Sequence, residues 1–554
     1  MPASADSRLA ATDRVHAPAR PPVRPDAPPA SSLLWQAGLL GLSADALLYD
    51  GPIGPGLALW VLVLALAALA LTWSAGRRMT REAALWLGTA GLLAGCTAWR
   101  DAEPLRVFDV LATIGVLGLA AVALRDPALA IAAPRLRDTL WAGLAIARST
   151  ARGIVPLALR QLFRADRHRG ALGHARTTAR LVLIAATLLL VFGSLLRSAD
   201  PIFARLVSLP EFDVERLMSH VFVMGVFTWL AGGWAYGALV ESPDALRAPD
   251  RLPIALGALD LTTALGTLNV LFGAYVLTQL GWFFGGERFL HATTGLTAAE
   301  YARQGFFQMV WVVALVVPLL LATRAAIGAD AALARRHTLL SVPVVALVGA
   351  IIVSAALRMR LYVHYYGLTT ERLYTLVLMG WLTIVLALLA ATVLRDRGRT
   401  FVAGSVVSAL ALLLGLHLVV PDVVVARVNV GRAAASGTAQ PLDLAYLASL
   451  SGEAVPLAVR ATLAPPGERQ LRDPYDADRR CAAATRLLEE WGPASHRVVR
   501  RQAQAAWRTW NAGESGALRA VGERSADLRR LRHALCTAGW ESRAYGRETT
   551  VAAD

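Results

Sequence analysis

Residues 55–74 read PGLALWVLVLALAALALTWS, an apolar stretch without a single charged residue. Wound as an α-helix it is about 30 Å long, the thickness of a bilayer's hydrocarbon core. It does not alternate apolar with polar residues, so it is no strand of a membrane barrel. In lipid an isolated helix satisfies its own backbone groups and an open sheet does not. The same kind of run recurs along the chain. Eleven spans are predicted, at 33–49, 55–74, 83–99, 106–124, 180–196, 217–240, 263–284, 305–323, 339–357, 373–394 and 401–420. The fold class expected is all-α: a polytopic transmembrane bundle with a small helical C-terminal domain outside the membrane.

Composition agrees with this reading. Of 554 residues 56% are hydrophobic and only 17% charged, and the mean hydropathy is +0.49. A soluble chain carries about 25% charged residues, so an ordinary soluble enzyme and a disordered chain are both excluded for the bulk of the sequence. The net charge is +15, and every one of its 55 basic side chains is arginine. Such a balance can signal nucleic acid. Here the arginines flank apolar spans and fill the tail, which is the pattern that orients a membrane protein, and no nucleic-acid partner is expected.

Five regions follow: 1–32, a Pro/Ala/Arg-rich cytoplasmic extension without the apolar core of a signal peptide; 33–124, four spans; 125–179, a basic connection; 180–420, seven spans; and 421–554, a polar tail. Arginine is dense in 125–180 and in the short loops at Arg77–Arg81, Arg335–Arg336 and Arg395–Arg399. The positive-inside rule places those loops in the cytoplasm, the N-terminus with them, and the tail on the far side of a bacterial inner membrane. Leu136 to Phe163 mixes Trp141, Leu144, Ile146, Ile154 and Leu157 with arginines, which suits a helix lying on anionic inner-leaflet lipids or one docked on the bundle. In the tail, leucines at 442, 444, 447 and 450 and at 528, 531 and 535 recur at helical spacing. Cys481 and Cys536 both fall there; in an oxidising compartment they are candidates for a disulfide, the alternative being two buried thiols.

Chemistry is harder to read. Asp45, Asp109, Asn269, Gln279 and His417 lie within spans, but no carboxylate falls at a span's middle, where a coupled transporter normally needs one. Two loops at one membrane level hold the candidate binding residues Tyr301, Arg303, His364, Tyr366, Glu371 and Arg372. Arginine grips oxyanions in a fork and tyrosine bridges apolar and polar zones; an aromatic belt with helix caps explains the same residues. No metal-ligand spacing, phosphate loop or nucleotide signature is present, so no metal and no cofactor are expected.

The segments Ala299-Glu-Tyr-Ala-Arg-Gln-Gly-Phe-Phe and Tyr366-Gly-Leu-Thr-Thr-Glu-Arg-Leu-Tyr carry a resemblance, supported by Ser198-Ala-Asp-Pro-Ile-Phe, Asn429-Val-Gly-Arg and Leu442-Asp-Leu-Ala-Tyr-Leu-Ala-Ser-Leu-Ser. Together with Trp507-Arg-Thr-Trp-Asn they resemble a bacterial multi-pass membrane family known only as a domain of unknown function, the forty-one seventy-three group, related to the forty-one fifty-three group. The chain departs from that pattern at Ala433–Ala434. The resemblance implies an integral membrane protein without an established activity, and marks Asn429, Arg432, Asp443 and Tyr446 as motif positions. The function expected is a non-enzymatic envelope sensor or scaffold that presents the tail domain. The alternatives are a transporter or lipid-handling protein that binds an anionic group at the Arg/Tyr cluster, and a membrane enzyme with His364 and Glu371 as acid and base.

Overall fold

The computed structural model describes residues 27–49, 51–126, 136–162, scattered positions of 181–199, 214–248, 256–294, 306–327, 330–395, 399–435, 442–467, 473, 475–502 and 506–536. Tyr301 and Arg303 lie outside the described residues, as does most of the span expected at 180–196. Among the described residues there is no strand. The helices are α1 (Ala30–Leu48), α2 (Pro55–Ser74), α3 (Arg81–Cys96), α4 (Glu103–Arg125), α5 (Leu136–Arg152), α6 (Val155–Leu162), α7 (Val214–Leu239), α8 (Ala258–Thr294), α9 (Phe306–Ala326), α10 (Ala331–Tyr366), α11 (Thr370–Ala391) and α12 (Arg399–Val419). The tail adds α13 (Pro421–Ala434), α14 (Leu444–Ser449), α15 (Val455–Leu463), α16 (Asp476–Trp491), α17 (His496–Gln502), α18 (Ala512–Glu523) and α19 (Ser525–Leu535).

Eight of these, α2, α4 and α7–α12, are long and apolar enough to cross a membrane. The expected spans at 33–49 and 83–99 are helices of the same bundle but fall short of that standard. α3 has 16 residues, about 24 Å of helix, and α1 carries Ser31, Ser32, Gln36, Ser43 and Asp45. By contrast α8 and α10 run to 37 and 36 residues, well past the spans expected for them. Trp73 and Leu259 are 82% and 81% exposed. Water would not leave such faces uncovered, and lipid covers them without cost.

The spans divide into two apolar cores. The first gathers α1–α5 and α7 with the end of α12; Leu33, Leu64, Leu93, Leu105, Val116 and Leu239 are among its fully packed members. The second gathers α8–α11 with the start of α12, through Leu261, Val313, Leu320, Val348, Ile351 and Leu389. α12 therefore joins the two. The Arg125 guanidinium donates to the carbonyl of Leu239 at 3.1 Å, so α4 and α7 end on the same face and run parallel.

The basic helix α5 is docked on the bundle. Ala142, Ala145, Ile146 and Ser149 are buried against α7, while Trp141 and Leu144 stay exposed. Gly233 of α7 makes this possible: a Cβ there would lie 2.7 Å from the carbonyl oxygens of Ser149 and Thr150.

The tail forms a third core from Val425, Leu444, Leu447, Val455, Val459, Leu487, Trp491, Val521 and Leu528. Leu368, from the turn between α10 and α11, is part of it. A disulfide joins Cys481 of α16 to Cys536 just beyond α19, with 5.3 Å between their Cα atoms. Cys96 is free and buried.

Candidate functional site

The C-terminal domain is fastened to two interhelical turns on one face of the bundle. At the α10–α11 turn, Gly367 takes φ +81°, a conformation that costs a side chain but not glycine. A Cβ there would come within 2.6 Å of Arg432 and 2.9 Å of Asn429. Those two residues hold the turn. Asn429 accepts from the Leu368 N–H at 2.9 Å and donates to the Leu368 carbonyl at 2.7 Å, and Arg432 donates to the carbonyl of His364 at 2.7 Å. The Thr370 N–H donates to the Tyr446 hydroxyl at 2.9 Å, and the Thr370 hydroxyl donates to Asp422 at 3.0 Å. Asp443 caps α14 by accepting from the Tyr446 N–H at 2.8 Å. The four motif positions of the tail thus serve one purpose: Asn429 and Arg432 grip the turn, and Asp443 fixes the helix that carries Tyr446.

At the α3–α4 turn the contacts come from later in the chain. Asn511 donates to the carbonyls of Thr97 and Arg100 at 3.0 and 2.7 Å, and the Ala512 N–H donates to Ala98 at 2.9 Å. Asp101, nearly buried, accepts from the Gly452 N–H at 3.1 Å, and the Asp101 N–H donates to Glu453 at 2.7 Å. Burial pushes the Glu453 carboxyl above its ordinary range, and the nearby charge of Asp101 adds to the effect. Arg100 reaches sideways from this turn to the carbonyl of His417 at 2.9 Å. His417 itself meets Asp109 at 3.1 Å with both side chains fully buried, and Asp45 meets His220 at 2.8 Å. Three of the in-span polar residues are therefore partnered. Asn269 donates to the carbonyl of Leu340 at 2.9 Å, and Gln279 accepts from Ser354 at 3.1 Å and from Arg358.

Between the two turns lies a cavity of about 560 Å³. Its bundle wall is made by Glu103 and Arg106 of α4, Tyr362 of α10, and Glu371 and Arg372 of α11; its domain wall by Asp422, Tyr446, Ser449, Glu490, Trp491 and Arg497. Asp101 lies in its floor, 3.8 Å from both Arg106 and Arg497. Arg497 also reaches Glu490 at 3.1 Å and lies 4.1 Å above the Trp491 ring. Arg372 bonds the Gly367 carbonyl and lies 4.0 Å above the Tyr362 ring. Burial pushes the Tyr446 phenol up, against the hydrogen bonds from Thr370 that would lower it, so it is neutral.

Of the candidate residues described, Glu371 and Arg372 line the cavity, and Tyr446 joins them from the tail. His364 and Tyr366 do not line it. His364 is exposed, and Tyr366 is 46% exposed with its ring set edge-on to Tyr362 at 5.0 Å. Sequence reasoning missed Asp101, Glu103, Asp422, Glu453, Trp491 and Arg497, and quoted Asn511 only as the end of the Trp507-Arg-Thr-Trp-Asn motif. The available signal was position: Asp101, Glu103 and Asp422 each sit at the mouth of a span. Among the described residues no group of three or more His, Cys, Asp or Glu side chains could hold a metal.

These features define a polytopic helical membrane protein whose C-terminal domain closes a polar cavity over one end of its bundle. The family described as a domain of unknown function, DUF4153, matches residues 87–461, about two thirds of the chain, and the protein belongs to it. This is the second of the two related groups whose likeness the motifs carry. No curated protein and no solved structure matches the chain.

Proposed function

We propose that the protein is a ligand-binding envelope sensor of a bacterial inner membrane. Its C-terminal domain stands on the extracytoplasmic face and shares one binding cavity with the bundle. The observation that carries this is the cavity itself: neither the bundle nor the domain has it alone, so occupancy at that place bears on both. The arginine distribution and the disulfide both favour an outer domain, since disulfides persist in oxidising compartments. On the opposite face the exposed Trp141, Leu144 and Arg148 of α5 suit contact with anionic lipid headgroups. Lipid handling is the second reading, favoured by the cavity's place at the ends of α4, α10 and α11, where a lipid headgroup would lie.

The reading is tested by native mass spectrometry of the full chain purified in mild detergent, beside Ser449→Trp. Ser449 is an exposed member of the cavity wall, so the indole fills space without disturbing the core. A small-molecule adduct present on the wild type and absent from the variant supports the reading. Equal adducts on both, or none on either, contradict it.

A further inference from the structure

The large apolar side chains that the C-terminal domain leaves uncovered are not scattered. Among its described residues they are Val499, Trp507 and Trp510, exposed by 64%, 53% and 46%, and all fall between positions 499 and 510. Elsewhere the domain buries such groups, as it does Val455, Leu487, Trp491 and Leu528. A single exposed apolar residue needs no explanation, but two tryptophans in one short turn do.

That turn, Ala506–Thr509, rests on the end of a spanning helix. Arg508 donates to the carbonyl of Ala46 near the end of α1. Its own carbonyl oxygen would lie 3.0 Å from a Cβ on Gly54 and 3.4 Å from one on Gly56, inside the first turn of α2. Asn511 carries the contact on to the α3–α4 turn, and the Thr97 hydroxyl of that turn lies 3.3 Å from the Gly54 carbonyl. The depth of this place follows from α2. Its 20 residues make about 30 Å of helix, the thickness of the hydrocarbon core, so its two ends mark the two boundaries of that core. At the far end Trp73 is exposed. At the near end α2 has no such anchor of its own, because Trp60 is buried with its indole donating to the Leu40 carbonyl at 3.0 Å. The exposed indoles at that level are those of Trp99, Trp507 and Trp510.

We infer that the Trp507–Trp510 turn is a membrane anchor of the C-terminal domain, its two indoles lying among the phospholipid headgroups and upper acyl chains of the leaflet beneath the domain. An indole suits this zone, with an apolar body for the acyl chains and an N–H for the wet headgroup layer. Lipid is the occupant because the patch continues into the bundle's own lipid-facing surface. Ile53, next to Gly54, is exposed, as are Trp99 and Leu418, whose neighbours Arg100 and His417 are joined at 2.9 Å. The domain is therefore held by lipid as well as by the two turns. This holds whatever fills the cavity and whichever leaflet the domain faces.

The test uses the full chain in nanodiscs of phosphatidylethanolamine and phosphatidylglycerol. Cys96 is buried and Cys481 and Cys536 are bridged, so Trp507→Cys and Trp510→Cys each take a nitroxide label at one site. Power saturation then compares the access of oxygen, which concentrates in lipid, with that of a nickel chelate, which stays in water. Leu66→Cys, exposed at the middle of α2, and Glu523→Cys, exposed at the end of α18 away from the seam, are the lipid and water references. At both tryptophan positions the oxygen-to-nickel ratio should rise from the Glu523→Cys value toward the Leu66→Cys value. A ratio equal to that of Glu523→Cys puts the turn in water, and exclusion of both reagents puts a second copy or another protein over it; either overturns the inference. The native indoles are read by fluorescence, since Trp507→Phe/Trp510→Phe removes two of the chain's 15 tryptophans. The emission lost in that variant should be smaller in nanodiscs of brominated lipid than in ordinary ones, because the two indoles are already quenched there. An equal loss in both overturns the inference as well.

Discussion

The two turns under the C-terminal domain are held in different ways. The α10–α11 turn is gripped by α13 and α14, which follow the last span directly and lie inside the family match. Its Leu368 enters the domain's own apolar core while Asn429 satisfies both of its backbone groups. The α3–α4 turn is gripped mainly by Asn511 and Ala512, beyond residue 461, where the disulfide also lies. From within the match the domain reaches it through the loop at Gly452 and Glu453. One anchor lies wholly within the region that the family model matches, the other is made mainly by residues beyond it, and the cavity opens between them. A polar seam of this kind is costly to leave half made, because each buried N–H or C=O that loses its partner costs about 1–3 kcal/mol.

This contrast can be broken from either side. The largest effect is expected from removing the disulfide. The bridge spans 55 residues, and in the chain-entropy picture its loss costs about 4 kcal/mol. In Cys481→Ser/Cys536→Ser the amides of α16 and α19 should exchange faster in a hydrogen-exchange experiment, while the α10–α11 turn stays protected. Equal loosening of both turns would show that they are one anchor. Next come Asn429→Ala and Asn511→Ala. Each strands two backbone groups, or two carbonyls and a helix cap, for about 2 kcal/mol, and each should expose its own turn to limited proteolysis first. Gly367→Ala should cost about 1–2 kcal/mol through backbone strain, beyond the crowding by Arg432 and Asn429. A melting temperature unchanged from wild type would deny that the turn holds its left-handed conformation.

The smallest effect is the pH dependence at Glu453. Its carboxyl is raised in the folded state by burial, so the folded protein keeps that proton to higher pH than the unfolded chain does. The contribution is complete below the ordinary carboxylate range and is lost as pH rises through the raised value. Melting temperature should therefore rise on acidification from neutral toward that range, and Glu453→Gln, which cannot ionise, should flatten the slope. An identical slope in the variant would place the dependence elsewhere.

Much of this fold is legible in the residues. Twenty residues in a row without a charge and almost all apolar, as at 55–74, leave few alternatives to a spanning helix, and the leucine spacing of the tail announces a small helical core. The site is only partly legible. Asn429, Arg432, Asp443 and Tyr446 stand out as motif positions, but that they clasp a turn some sixty or seventy residues earlier depends on how α13 leaves the membrane. It does so through Val420, a β-branched residue at φ +57°, which no local propensity favours. Asp109 and His417 are visible as polar residues near span ends, yet their pairing joins positions 308 apart in the chain. Glu371 and Arg372 read equally well as a helix start, which Thr369 does cap; their place in a cavity wall follows from where α14, α16 and α17 come to rest.

The central claim is that the C-terminal domain and the bundle form one docked unit around the cavity. Amide hydrogen exchange on the full chain in nanodiscs tests it most directly, read at the N–H groups of Leu368 and Gly452, which donate across the seam to Asn429 and Asp101. The account predicts protection at both comparable to that of the domain's own core around Leu487, lost at Leu368 in Asn429→Ala. Fast exchange at both positions in the wild type, with the core still protected, would mean that the domain is tethered beside the bundle and the cavity is not a built site.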